Sequence, residues 1–91
     1  MVTVKLSTDE YNYLIKLLQQ NKSEIIDHVE FRTERRCLFR KPKIYATLDE
    51  DVAFDIREIA SDEVGLHFDE NYHPLPEALL LESFIDKFYV P

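Results

Sequence analysis

The stretch that decides the fold is residues 43–64, which read KIYATLDEDVAFDIREIASDEV. Its opening part, residues 43–48, is a short run with β-branched and aromatic members, and such a run predicts a strand. Asp49 then opens a helix over residues 50–64, because acidic residues favour the first turn of a helix. Gly65 is well placed to end this helix in the left-handed conformation.

The N-terminal part predicts the same combination of strand and helix. Residues 2–6 alternate apolar and polar side chains, which is typical of a strand. Ser7 and Glu10 then form a capping box, in which each side chain accepts a hydrogen bond from the other residue's backbone N–H. Apolar residues follow at helical spacing, so we predict a helix over residues 8–20.

Further strands and a third helix follow from the same local signals. Short runs at residues 28–32 and 36–40 join 43–48 as predicted antiparallel strands with tight connections. Pro76 suits the first position of a last helix, because it has no backbone N–H to leave unpaired. We therefore predict a single α+β domain, residues 1–91, with three helices packed on a small two- or three-stranded antiparallel sheet.

Composition excludes several classes of protein. Cys37 is the single cysteine, so no internal disulfide forms, which fits a reducing compartment. No secretory signal is visible, and no apolar run approaches the roughly 20 residues of a membrane span. The single glycine argues against a glycine-rich phosphate loop. We expect a cytoplasmic protein with no cofactor and no membrane partner.

The charge is distributed unevenly along the chain. The net charge is −7, but residues 32–48 carry six basic groups and one acid, whereas residues 49–91 carry two basic groups and twelve acids. An acidic surface of this kind repels nucleic acid and attracts basic proteins. The partner that we expect is therefore a basic protein.

One side of the second helix carries most of this negative charge. Successive residues of a helix are separated by 100°, and this separation gathers the apolar residues on one side and four carboxylates on the other. With a neighbouring phenylalanine, they form the predicted partner-binding set: Asp51, Phe54, Asp55, Glu58 and Asp62. We call the four carboxylates the acidic stripe. The alternative interpretation is that this face is only solvated, or that residues 32–43, which we call the basic segment, cover it.

The basic segment offers a second candidate surface. Its cations could contact nucleic acid, with aromatic rings between them for stacking. The cations are Arg32, Arg35, Arg36, Arg40, Lys41 and Lys43. Because the acidic half of the chain would weaken binding to phosphates, nucleic acid is the less favoured partner. A third alternative is a homo-oligomer in which the basic strands of one copy face the acidic helix of another.

Other candidate sites have weaker patterns. His67, Asp69, Glu70 and His73 are ligand types for a divalent metal, but their spacing matches no established signature, so we predict no metal site. Cys37 lies in an apolar run, where cysteine acts as a small hydrophobic residue. Because no nucleophile, base and acid form a recognisable set, we predict that the protein is not an enzyme.

In size, acidity and unneutralised stripe, the whole chain resembles the immunity proteins that bacteria make against polymorphic or contact-dependent growth inhibition toxins. The resemblance implies an inhibitor that occludes the active site of a basic, nuclease-type toxin. Such an inhibitor places carboxylates where the enzyme would bind phosphates. Because the resemblance rests on no specific motif, it transfers no functional residue to this chain.

Overall fold

The structure is a computed structural model, and it describes residues 1–34, 42–71, 73 and 75–90. The elements in chain order are β1 (Val2–Leu6), α1 (Thr8–Asn21), a 3-10 helix (Ser23–His28), β2 (Glu30–Glu34), β3 (Lys43–Leu48), α2 (Glu50–Val64) and α3 (Pro76–Lys87). The predicted α+β class is confirmed. None of the helices within these ranges combines the length and apolar content of a membrane span.

The three described strands form one antiparallel sheet with β3 in the centre, in the order β1-β3-β2. Strand β3 alternates strictly between its two faces, because successive side chains of a strand point to opposite sides. Ile44, Ala46 and Leu48 are buried in the core. Tyr45 lies on the opposite, partly exposed face, where it pairs in register with Lys5 of β1.

Strand β2 differs from its prediction at both ends. The predicted strand began at His28, but His28 ends the 3-10 helix and β2 begins at Glu30. Thr33 and Glu34, which were expected to connect two strands, continue β2 instead. The reason is pairing across the sheet, since Thr33 lies opposite Ile44 in the register with β3. The predicted strand at 36–40 lies outside the described residues.

Helix α1 begins as the capping box predicts. The Glu10 backbone N–H donates to the Ser7 hydroxyl at 3.1 Å, and the Ser7 backbone N–H donates to the Glu10 carboxylate at 2.9 Å. The helix extends one residue beyond the predicted end, to Asn21, whose side-chain amide donates to the Leu17 carbonyl at 2.9 Å. Local hydrogen bonds therefore fix both ends of α1.

Helix α2 has the predicted bounds, but the prediction for Gly65 is wrong. Gly65 has φ −66° and ψ −16°, which is right-handed helical backbone. The chain continues in a further turn after the helix, in which the N–H groups of Leu66 and His67 donate to the carbonyls of Glu63 and Val64 at 2.9 and 3.2 Å. Because these bonds satisfy the last carbonyls of α2, the helix ends without a left-handed residue.

The core lies between one face of the sheet and the helices. Helices α2 and α3 pack against each other, and α3 starts with Pro76 at its first turn as predicted. Phe84 of α3 and Phe88, which directly follows α3, are fully buried and meet edge to face, with ring centroids 6.2 Å apart. Leu80 of α3 is only half-buried. Leu80 also lines a groove between α1 and α3.

Candidate protein-binding surface

The outer face of α2 carries the acidic stripe. Asp51, Glu58 and Asp62 are exposed, and Asp55 is half-buried. Phe54 lies beside the stripe with 56% of its surface exposed, although phenylalanine is usually buried. The opposite side of the helix supplies four buried residues to the core: Ala53, Ile56, Ile59 and Ala60. The helical period therefore separates a core side from a charged, solvent-facing side.

Arg57, the single cation of α2, contacts α3 and the residues that follow it. Its Nε donates to the Ile85 carbonyl at 2.8 Å, and its guanidinium lies 4.9 Å from the centroid of the Tyr89 ring. Among the residues that the structure describes, no cationic side chain forms an ion pair with a carboxylate of the acidic stripe. The acidic stripe therefore has no ion-pair partner in the described part of the chain.

A shallow pocket of about 240 Å³ lies at the N-terminal end of this face. Glu50, Asp51, Phe54 and Arg57 line its α2 side, and Phe88 and Val90 line the side formed by the end of α3. Next to it, Tyr89 is 57% exposed. The pocket combines carboxylates with aromatic and aliphatic surface, which is a suitable composition for anchoring a partner side chain.

The sequence prediction missed Tyr89 and Val90 as members of this surface. Tyr89 follows the buried Phe88 by one residue. One residue corresponds to a rotation of 100° along a helix, which moves a side chain off the core face. A helical projection continued beyond Lys87, the last residue of α3, would therefore have placed Tyr89 toward solvent.

The described part of the basic segment lies on the sheet and does not cover α2. Arg32 is exposed on β2, opposite Tyr45 in the register, and its guanidinium lies 5.5 Å from the Tyr45 ring centroid. Residues that face each other across antiparallel strands point to the same side of the sheet. Arg32 thus shares the face of Tyr45, away from the core. Lys43 begins β3 and is half-buried. Four further cations of the segment lie outside the described residues: Arg35, Arg36, Arg40 and Lys41.

The histidine and acidic side chains at the end of α2 and in the loop after it contact residues close to them in the sequence. His67 lies 3.7 Å from the Glu63 carboxylate, and His73 lies 3.6 Å from the Asp69 carboxylate. The second oxygen of Asp69 accepts the backbone N–H groups of Asn71 and His73 at 2.9 and 2.8 Å, so it shapes the turn. Glu70 is exposed in the same loop. Within the described ranges, no three His, Cys, Asp or Glu side chains converge as metal ligands.

Glu10 is the most buried acidic residue of the described chain, with 8% of its surface exposed. Its carboxylate accepts hydrogen bonds from the Ser83 hydroxyl at 2.5 Å and the Lys87 ammonium at 2.7 Å, in addition to the capping bond. Burial raises the pKa of Glu10, but the hydrogen bonds from Lys87, Ser83 and the Ser7 backbone lower it by a larger amount. The resulting pKa is about 2, below the ordinary value of 4.5. A carboxylate with so low a pKa is a poor base at neutral pH, so this cluster joins α1 to α3 structurally.

Lys87 extends this cluster to the sheet. Its ammonium also donates to the backbone carbonyl of Lys5 in β1 at 3.0 Å. One cation therefore connects β1, the start of α1 and the end of α3.

No protein-family model, no curated protein and no solved structure matches this chain.

Proposed function

We propose that the protein is a binding module that inhibits a basic partner protein through the outer face of α2. What supports this role is the exposure of Phe54 beside four carboxylates that form no ion pair with a described residue. Desolvation of an aromatic ring supplies affinity, while surrounding charge supplies orientation and a fast association rate. The combination favours a protein surface with cations around an apolar contact.

The partner class is a nuclease-type toxin with a positively charged groove. The acidic stripe extends over twelve residues, from Asp51 to Asp62, and the eleven steps of 1.5 Å between its ends cover about 16 Å along the helix. A nucleic-acid strand presents one phosphate per about 3.4 Å of duplex axis, so the stripe matches a segment of a few nucleotides in length and sign. A helix of this kind could occupy a groove that normally binds phosphates.

The stripe also carries a thermodynamic cost that solubility alone does not require. Asp51 with Asp55, and Glu58 with Asp62, are like charges at i,i+4 on one helix. Each such pair destabilises a helix by about 0.2–0.5 kcal/mol. Surfaces selected only for solubility usually intersperse both signs of charge. Residues that bind a partner often lower the stability of the fold, because they are selected for binding and not for stability.

Reversal of charge on the stripe tests the proposal. Asp55→Lys with Glu58→Lys should leave the fold intact and abolish capture of a basic partner from lysate of the native source. The matched control reverses two exposed acids of the 3-10 helix, Glu24→Lys with Asp27→Lys, and thus changes the net charge equally. Capture should persist with the control. Equal capture by both variants would exclude the acidic stripe as the binding surface.

Association kinetics with the captured partner provide a second readout. Surface charges control mainly the association rate, and salt screens them over about 10 Å at 0.1 M ionic strength. The stripe variant should associate at least tenfold more slowly than the wild type at low salt, with a smaller difference at high salt.

A mobility-shift titration with generic RNA examines the alternative role of the basic segment. Tight binding near physiological salt would favour nucleic acid as the partner.

A further inference from the structure

A wide, open groove of about 740 Å³ lies between α1 and α3, apart from the acidic stripe. The two helices run antiparallel, since the start of α1 contacts the end of α3 through the bond between Glu10 and Lys87. Each helix contributes a row with the spacing i, i+3, i+4, i+7, which is the spacing of a seam between packed helices. The rows are Asp9, Asn12, Tyr13 and Lys16 on α1, and Pro76, Leu79, Leu80 and Ser83 on α3.

The groove exposes apolar surface that the fold does not use. Leu79 is 58% exposed, and Leu80 and Tyr13 are only half-buried. Leu75, just before α3, is 38% exposed. A contiguous apolar strip with polar residues at its borders is typical of an interface between proteins.

The charges that border the groove are self-complementary. Asp9 and Lys16 are exposed, and they lie seven residues apart on one side of α1, which corresponds to about 10 Å along the helix. Within the described part of the chain, neither forms an ion pair. A twofold axis that crosses α1 near Asn12 would place Asp9 of each copy opposite Lys16 of the other. Such an arrangement satisfies the isologous rule, in which one patch contacts its own copy.

We propose that the protein forms a twofold-symmetric homodimer through this groove, with the groove-lining faces of α1 and α3 of one copy against those of the other. Leu79 of each copy fills the apolar part of the partner groove, and the pairs between Asp9 and Lys16 set the antiparallel register. Asn12 lies near the axis, where an amide side chain can both donate to and accept from its symmetry mate. The proposal does not depend on the function proposed for α2.

The balanced charge at this face allows a second copy to dock there despite the acidity of the whole chain. The whole chain has a net charge of −7, so two copies repel each other over most of their surface. The α1 row presents one acid and one base, so the local charge at this face is balanced. No residue of α2 lines the groove, so pairing there leaves the acidic stripes of both copies uncovered.

Sedimentation velocity of the full chain from about 5 to 500 µM is the first test. The wild type should show a concentration-dependent shift from monomer to dimer. Leu79→Ser should weaken the dimer at least tenfold, whereas the matched control Leu66→Ser should not, because Leu66 is 73% exposed and lies outside the groove. A wild type that stays monomeric throughout this range, or a dimer that tolerates Leu79→Ser, would overturn the proposal.

A charge exchange tests the register. Asp9→Lys and Lys16→Asp should each weaken the dimer by placing like charges opposite each other. The double variant should recover the dimer, since it restores opposite charges with the positions exchanged. Thermal melts of the same samples separate these effects from a loss of folding. Failure of the double variant to recover the dimer, while it remains folded, would reject the twofold arrangement.

Discussion

Replacement of Glu10 by glutamine is expected to destabilise the fold strongly at neutral pH and much less in acid. The substitution keeps the size of the side chain but removes the negative charge that faces Lys87. Lys87 then loses its ion pair at 2.7 Å, and Ser83 loses a charged acceptor at 2.5 Å. Because Glu10 is almost fully buried, water does not replace these interactions efficiently.

The size of the effect follows from the pKa of the Glu10 carboxyl. It falls from 4.5 to about 2 on folding, since the hydrogen bonds from Lys87 and Ser83 outweigh the opposing effect of burial. At about 1.4 kcal/mol per pKa unit, this difference corresponds to about 3 kcal/mol. The Lys87 side chain is 37% exposed, so solvent screening reduces the expected loss to about 2–3 kcal/mol.

The pH dependence gives the direction of the test. The folded-state pKa lies below the unfolded-state value, so the stabilisation is complete above about pH 5 and is lost as the pH falls from 4.5 towards 2. Below that range both states carry a neutral carboxyl group, which the glutamine amide resembles. The difference in unfolding free energy between wild type and Glu10→Gln should therefore be largest near pH 7 and approach zero near pH 2.

Urea unfolding at a series of pH values measures this difference, because urea does not screen charges. Glu58→Gln is the matched control, since Glu58 is exposed on α2 and pairs with no described cation. It should change the unfolding free energy by no more than about 0.5 kcal/mol. A difference between wild type and Glu10→Gln that stays constant from pH 7 to pH 2 would refute the assignment of this stabilisation to the Glu10 charge.

Two further substitutions test local features of the helices. Ser7→Ala removes the hydroxyl that accepts the Glu10 N–H, so it should lower the unfolding free energy by about 1 kcal/mol; an unchanged urea midpoint would contradict the capping role. Gly65→Ala should raise the unfolding free energy by about 0.4–1 kcal/mol, because φ is −66° and a Cβ there would have no atom within 4 Å. Destabilisation by Gly65→Ala in the same assay would show that the native backbone requires glycine.

The features that sequence reasoning predicted correctly depend on residues close together in the chain. The capping box joins Ser7 to Glu10 across one helical turn, and the bounds of α2 follow from a pattern contained within the helix itself. The outward position of the acidic stripe is a consequence of the same period. When one side of a helix is apolar and packs in the core, the other side faces solvent unless another element covers it.

The features that it missed depend on distant partners. The capping pattern predicts that Glu10 binds a backbone N–H, but Ser83 and Lys87 lie 73 and 77 residues further along the chain. The direction of Arg57 follows from the Ile85 carbonyl and the Tyr89 ring, which only packing of α3 on α2 brings near. The exposure of Leu79 likewise depends on the separation between α1 and α3.

The sequence by itself determined the fold class, the starts of the three α-helices and the charged side of α2, because caps, prolines and periodicity act within a few residues. Only the tertiary structure decided the centre of the sheet, the burial of Glu10 in a cluster from three elements, and the groove between α1 and α3. These depend on which surfaces meet once apolar area is removed from water. Burial is nearly non-directional, so a one-dimensional pattern shows which face is buried but not what it is buried against.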